Sequence, residues 1–221
     1  MHFPELSQHI NDNFNKLFSS VICDVMDQMG YWDQDMDPSI NPIDPKSIVF
    51  GRARTAHAVR VFKIPDKPYG LEMEVIDSLK PGDVLVVNTS ECYDSCFWGE
   101  LLSNAAVGHG AHGIVVDGYA RDIKGIIELG FPCFVKGTSP ADSLGRIDVL
   151  SYDQPIECGG VKVKAGDYIF GDIDGVVVIP KEIVSEVLEK ALEKADKEDD
   201  VRKELLAGAS VKAVFEKYGI L

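Results

Sequence analysis

Apolar residues recur at helical spacing in several parts of the chain and gather into short blocks between them. Leu6–Phe18 predicts a surface helix. Ser19 and Ser20 offer a cap for a second one, with Ile22, Val25, Met26 and Met29 on one face and Gly30 as its stop. Tyr31–Lys46 carries Pro38, Pro42 and Pro45 and predicts an extended loop. Ser47–Val61 alternates loosely and is rich in Val, Ala and Thr, which predicts strand; His57 inside it reads as structural rather than as a ligand. Leu71–Leu79 predicts a short helix, and Lys80-Pro81-Gly82-Asp83 a turn into the buried strand Val84–Val87. Glu91–Phe97 is polar and irregular.

A helix is then expected from Gly99, with Leu101, Leu102, Ala105 and Ala106 facing the core. The buried strand Ile114–Val116, a helix Ile123–Leu129 stopped by Gly130, and a strand Pro132–Val135 follow. Gly159–Lys164 predicts another strand, and Lys164-Ala165-Gly166-Asp167 echoes the earlier turn. Tyr168–Asp172 and Val176–Ile179 predict a hairpin turning at Asp174-Gly175. Ile183, Val187, Leu188, Ala191, Leu192 and Ala195 keep helical spacing until charge takes over in Lys194–Asp200. Such a charged helix is a solvated face or an arm toward a neighbouring subunit. βα units mixed with hairpins indicate an α/β or α+β sandwich, not a regular doubly wound sheet.

Composition narrows the function classes. The 221 residues are 45% hydrophobic, enough for one substantial core or two small ones, and the absence of a compositional break favours one domain. A net charge of −14 excludes the clustered cations that nucleic acid requires, and equally opposes an anionic membrane surface. An anionic substrate would need a local cation or metal against that field. No run approaches the ~20 apolar residues of a membrane span. Met1–Ser20 mixes Glu5, Asp12 and Lys16 with isolated apolar residues, so a cytoplasmic location is expected. The five scattered cysteines suit reduced thiols, and Cys92-x-x-x-Cys96 lacks a second pair for zinc. Asn88-Thr89-Ser90 fits a glycosylation sequon by chance.

The candidate chemistry lies in Trp98–Asp122. Gly108-His109-Gly110-Ala111-His112-Gly113 spells a dinucleotide fingerprint, but here helix precedes glycines and strand follows, the reverse of what a pyrophosphate needs. No nucleotide is therefore expected; the glycines cap the helix, and His109 and His112 read as structural or solvent-facing. Gly99 opens the helix, so the N–H groups of Leu101 and Leu102 are candidate donors to a carboxylate. Glu100 alone would merely complement the helix dipole. Arg121 and Asp122, past the end of a buried strand, change this. Arg presents a fork for two carboxylate oxygens, while Asp122 and Glu100 are hard ligands for Mg²⁺ or Mn²⁺. The competing reading is a surface ion pair capping the next helix. Lys124 and Lys136 are the nearby amines that Schiff-base chemistry would need.

The chain resembles the RraA-like family, which includes the class II 4-hydroxy-4-methyl-2-oxoglutarate/4-carboxy-4-hydroxy-2-oxoadipate aldolases and the RNase E regulator RraA. The resemblance rests on SVICDVMDQMG (Ser20–Gly30), GDVLVV (Gly82–Val87), WGELL (Trp98–Leu102), GIVVDGYARD (Gly113–Asp122), ELGFPCF (Glu128–Phe134) and GDIDGVVVIP (Gly171–Pro180), in that order. It implies an α/β/α swivelling-type sandwich with a mixed sheet, in one domain spanning 1–180, plus a C-terminal helical arm, 181–221, in contact with a neighbouring subunit. Homotrimers or homohexamers with sites between subunits are implied. The family signature is an acid, twenty intervening residues, then Arg-Asp, filled by Glu100, Arg121 and Asp122. It implies that Arg121 with the Leu101 and Leu102 amides binds an oxo-acid carboxylate, that Asp122 ligates Mg²⁺ or Mn²⁺, and that Glu100 holds a metal-bound water. Glu100 departs from the aspartate usual in the aldolases. Glu198 is the closest match to a glutamate supplied to the neighbouring subunit's site, with Asp199 and Asp200 adjacent. The implied activity is a metal-dependent lyase releasing pyruvate from a 4-hydroxy-2-oxo acid, with oxaloacetate decarboxylase activity. The C-terminal VRKELLAGAS favours this over the alternative, a non-catalytic regulator that binds a ribonuclease.

Overall fold

The computed structural model describes residues 3, 4 and 6–220. Helices α1 (Gln8–Asn13) and α2 (Ser19–Gln28) come first. The two-residue strand β1 (Asn41–Pro42), the long strand β2 (Val49–Arg60), helix α3 (Gly70–Asp77) and strand β3 (Asp83–Asn88) follow. Next are β4 (Cys96–Trp98), α4 (Glu100–Gly108), β5 (Gly113–Ala120), α5 (Ile123–Leu129) and β6 (Cys133–Thr138). The chain continues through β7 (Ile147–Tyr152), β8 (Ile156–Cys158), β9 (Val161–Val163), β10 (Tyr168–Asp172) and β11 (Gly175–Ile179). It closes with helices α6 (Val184–Leu206) and α7 (Val211–Tyr218). Contacts divide the chain into two compact units: Asp33–Glu182, and the described part of Met1–Trp32 together with Ile183–Leu221.

The larger unit is a mixed α/β fold. Its main path runs β1-β6-β5-β3-β2-β10-β11, with β4 beside β5 and β7 beside β2. The βα portion pairs in parallel (β2–β3, β3–β5, β5–β6), and the hairpin portion antiparallel (β2–β10, β10–β11, β2–β7). Because successive side chains on a strand point to opposite faces, each central strand feeds two cores. Leu85, Val87, Ile114 and Val116 face outward and bury Val75, Ile76, Ala106 and Ile126 of α3, α4 and α5. Val84, Val86 and Val115 face the other way, onto Ile169, Val176, Val178 and the small β8–β9 sheet. That second face is thus covered by strands within this unit. The two ends of the path, β1 and β11, come together, so the sheet nearly closes on itself.

Several elements differ from expectation. The first helix is shorter than Leu6–Phe18: Ser7 caps it by accepting from the Ile10 N–H, and a 3-10 turn over Phe14–Lys16 ends it. Ser19 lies inside the first turn of α2, after Phe18 at the cap position, while Gly30 stops that helix at φ +85°. β5 runs past Val116 to Ala120. Its polar stretch survives in the sheet because Asp117 is paired with Lys136 (2.8 Å) and accepts from the Gly159 N–H (2.8 Å). The β10–β11 turn is one residue earlier than predicted: Asp172 pairs with Gly175, leaving Ile173 and Asp174 in the turn. No helix among the described residues is long and apolar enough to cross a membrane.

In the other unit, α6 buries Val187, Leu188, Ala191, Leu192 and Ala195, and packs on α2. Lys194 sits between Asp24 (3.1 Å) and Glu198 (2.8 Å). Asp199 and Asp200 pair with Arg202 and Lys203 on the same helix.

Candidate functional site

Two parallel strands set the site. β4 lies beside β5 with Trp98 opposite Ala120, and the Arg121 N–H donates to the Trp98 carbonyl (2.9 Å). Gly99 and Arg121–Asp122 therefore leave the sheet side by side at the carboxyl ends of parallel strands, where α/β folds place ligands. The turn into α4 is fixed from below. The buried Trp98 indole donates to Ser103 Oγ (2.8 Å), which donates in turn to the Gly99 carbonyl (3.0 Å).

Asp122 stands at the cap position of α5 in the left-handed region (φ +57°), and its side chain makes no capping bond there. This removes the capping role. The carboxylate turns to Gly99 instead: a Cβ at Gly99 would lie 2.9 Å from Asp122 Oδ2 and 3.5 Å from Arg121 Nε. Only glycine permits that approach. Glu100 is exposed and its carboxyl lies over the first turn of α5, where a Cβ on Gly125 would come within 2.6 Å of it. Arg121 contacts Asp122 Oδ2 at 3.4 Å and Asp142 Oδ1 at 3.3 Å, and over a third of its side chain stays exposed. These pairs are long, which leaves the guanidinium open to a bidentate anion.

A cavity of about 310 Å³ opens above this arrangement. Gly99, Leu101, Leu102, Arg121 and Asp122 line it; Glu100 borders α5 instead. The opposite wall is α3 and the segment before β7: Tyr69, Glu72, Met73, Asp142 and Ser143. Sequence reasoning missed three of these. Tyr69, at the cap of α3 with φ +62°, donates its hydroxyl to Asp142 Oδ2 (3.1 Å). Burial first, then Asp142, push that phenol above its ordinary pKa. Glu72 is 4% exposed, and no hydrogen bond or ion pair reaches its carboxyl among the described residues. Burial, reinforced by Asp148 and Asp142, raises its pKa to about 8. Nothing local in the sequence marks these groups, because their environment is made by elements distant along the chain.

Among the described residues, no group of three or more His, Cys, Asp or Glu side chains is gathered to hold a metal ion. Mg²⁺ and Mn²⁺ need less than that, taking one or two carboxylates and keeping several waters. Asp122, half-exposed and released from helix capping, is chemically suited to that donor set, with Glu100 nearby through α5. Glu198 lies in the other unit, half-buried and held by Lys194.

The remaining candidates are structural. A Cβ at Gly110 would press on Pro81 (3.1 Å), and one at Gly113 on Val49 (2.6 Å). His112 Nδ1 meets the Phe50 carbonyl (3.0 Å), His109 lies 3.6 Å from Asp77, and His57 meets Ser90 Oγ (2.8 Å). Lys136 is tied to Asp117 and to Tyr93 (3.1 Å), so its amine is held charged, well above the ordinary range, despite partial burial. Lys124 is exposed near Glu128. Neither is a desolvated nucleophile. All five cysteines are free thiols.

Comparison with known proteins places the chain in a family. A family profile described as RraA-like (Aldolase/RraA) matches residues 19–178. A protein of Halalkalibacterium halodurans named as a candidate 4-hydroxy-4-methyl-2-oxoglutarate aldolase is 32% identical over 213 residues, 92% of each chain. The solved structure of Streptomyces coelicolor RraAS2, an unusual member of the RNase ES inhibitor RraA protein family, superposes with TM-score 0.77. It shares 28% identity and covers 90% of this chain and 100% of its own. An uncharacterized Pseudomonas syringae protein has TM-score 0.84 at 24% identity, covering 99% of this chain and 98% of its own, which is likeness of fold. The chain belongs to the RraA-like family.

Proposed function

We propose that this chain is a divalent-metal-dependent lyase. It would cleave a C–C bond of a 4-hydroxy-2-oxo acid of the 4-hydroxy-4-methyl-2-oxoglutarate type to release pyruvate, and would also decarboxylate oxaloacetate. The observation that carries the reading is the meeting of Arg121, Asp122 and the start of α4 at one end of a cavity sized for a small acid. The aldolase name of the 32%-identical relative supports the same class.

The Arg121 fork receives the substrate carboxylate, with the unpaired N–H groups of Leu101 and Leu102 at the opening of α4 beside it. Asp122 would hold Mg²⁺ or Mn²⁺, and Glu100 would orient one of its waters. When bound, the ion supplies Lewis-acid stabilisation of charge on the 2-oxo group. Glu100 would serve as the base that accepts the C4 hydroxyl proton. The C3–C4 bond breaks, its electron pair passing to C3 to give the pyruvate enolate, while C4 leaves as a carbonyl. Arg121 offsets the enolate's charge, and protonation at C3 completes pyruvate. Loss of CO₂ from oxaloacetate yields the same enolate, so one site serves both reactions. In a homotrimer or hexamer, Glu198 is the residue we assign to a neighbouring subunit's site.

The likeness to RraAS2 favours one alternative, a regulator that binds a ribonuclease. Pyruvate release from a panel of 4-hydroxy-2-oxo acids and oxaloacetate, with and without Mg²⁺, separates them. Turnover that needs the metal supports the lyase; a wild-type protein inert on the whole panel supports the regulator.

A further inference from the structure

In the proposed reaction, breaking the C3–C4 bond leaves an electron pair on C3, and that carbon must gain a proton before pyruvate can leave. With the carboxylate on Arg121 and the 2-oxo group toward Asp122, C3 is the remaining substituent of the 2-oxo carbon. It therefore points across the cavity, toward the wall made by α3 and the segment before β7. Glu72 stands on that wall, in the first turn of α3, where an exposed acid would only complement the helix dipole. Packing of α3 on β7 instead leaves it 4% exposed within this chain alone. Tyr69 and Cys96 also line the cavity and carry a proton. The phenol already donates to Asp142 Oδ2 (3.1 Å) and the thiol to the Ser139 carbonyl (2.8 Å), and burial raises the pKa of both. The Glu72 carboxyl has no such engagement among the described residues.

We propose that Glu72 is the general acid that protonates C3 of the enolate, and the base that removes a C3 proton when the same step runs backward on pyruvate. The inference rests on the lyase reading and supplies a further catalytic residue for it. The Glu72 O–H bond breaks, the enolate's electron pair forms the C3–H bond with that proton, and the 2-oxo group is restored. The carboxylate left behind recovers a proton from solvent water, while Glu100 returns to solvent the one it accepted from the C4 hydroxyl, so the cycle balances. The groups facing Glu72 are Tyr69 from the turn before α3, Asp142 from the segment before β7, and Asp148 from β7 itself; α4 brings Leu101 and Leu102 to the cavity. Burial first, then Asp148 and Asp142, raise its pKa to about 8, so at neutral pH it holds a proton to give. An acid that titrates near the working pH can both give a proton and take one back.

The test follows the C3 proton itself. Wild type and Glu72→Gln are incubated with pyruvate and Mg²⁺ in D₂O, and exchange of the methyl protons is read by NMR; consumption of oxaloacetate is measured in parallel. The wild type is expected to exchange the methyl protons, and Glu72→Gln to do so about a hundredfold or more slowly. Oxaloacetate consumption should fall by less than about tenfold in the same variant, because loss of CO₂ needs no proton at C3 and the enolate can leave unprotonated. Glu72→Asp, which keeps an acid but withdraws it by one methylene, is expected to slow exchange more than oxaloacetate consumption. Infrared spectra of the metal-free proteins give an independent readout. The difference between wild type and Glu72→Gln should contain a protonated-carboxyl band at pH 7 that is largely gone at pH 9.5. Exchange slowed by less than about tenfold in Glu72→Gln, exchange and oxaloacetate consumption falling equally, a wild type that consumes oxaloacetate without exchanging pyruvate, or no such band at pH 7 overturns the proposal and leaves the lyase reading standing. A wild type that neither consumes oxaloacetate nor exchanges pyruvate overturns both.

Discussion

Asp122 shows how a single backbone angle decides a side chain's use. In the left-handed region it is turned from its own helix toward Gly99, and asparagine and aspartate tolerate that region best among residues with a Cβ. Gly99→Ala would place a methyl 2.9 Å from the carboxylate and push it aside. We expect kcat/KM for pyruvate release to fall by about a hundredfold with little change in Tm, since displacement of a catalytic group by ~1 Å carries that penalty. Glu72 makes a separate prediction about stability. Folded, it keeps its proton up to about pH 8; unfolded, it loses it near the ordinary glutamate value of 4.5. Between these values unfolding releases a proton, so stability falls as pH rises through the window, by up to ~1.4 kcal/mol per pH unit. Glu72→Gln should therefore unfold at nearly the wild-type temperature at pH 4.5 and at a higher one at pH 8.5. A Tm difference independent of pH would contradict this. Glu100, Arg121 and Asp122 were legible as a motif, and Gly99 as a helix start, because they flank one helix and the strand that follows it. Tyr69, Glu72 and Asp142 were not, because burial of an acid is a property of the packed elements around it.

At the scale of elements, the parallel pairing of β4 with β5 brings the two halves of the site together. The Trp98–Ser103–Gly99 chain of hydrogen bonds holds the start of α4 in register with it. Ser103→Ala leaves the buried indole N–H without its acceptor, which costs about 1–3 kcal/mol. Urea unfolding should show that loss as a lower midpoint with an unchanged slope. The helices α2, α4 and α5 and the strands β3, β5, β10 and β11 were legible from apolar blocks between glycine and proline. β4 and β8, with three residues each, are too short to show a period, and β7 (IDVLSY) lies among turn residues. The end of β5 was hidden for another reason. Asp117 looks like loop in sequence and is strand because Lys136 and the Gly159 amide satisfy it across space.

For the whole molecule, the net charge of −14 means that the anionic substrate we propose would have to be held by local groups against the overall field. That places the burden on Arg121 and on the ion assigned to Asp122. It also predicts that kcat/KM for an anionic substrate rises with ionic strength from 10 to 200 mM, as screening weakens the repulsion; a strong fall would contradict it. The family and the mixed α/β class were legible from ordered motifs spread over the chain, and the profile match over residues 19–178 agrees. The grouping of the first helices with α6 and α7 was not, since long-range packing leaves no local pattern. The most direct test of the central claim is pyruvate release from 4-hydroxy-2-oxo acids and oxaloacetate by wild type and Asp122→Ala, with Mg²⁺ and with EDTA. The lyase reading predicts turnover by the wild type that EDTA abolishes and a loss of about a hundredfold or more in Asp122→Ala. Equal turnover by the two proteins, activity that survives EDTA, or no turnover by the wild type would contradict it.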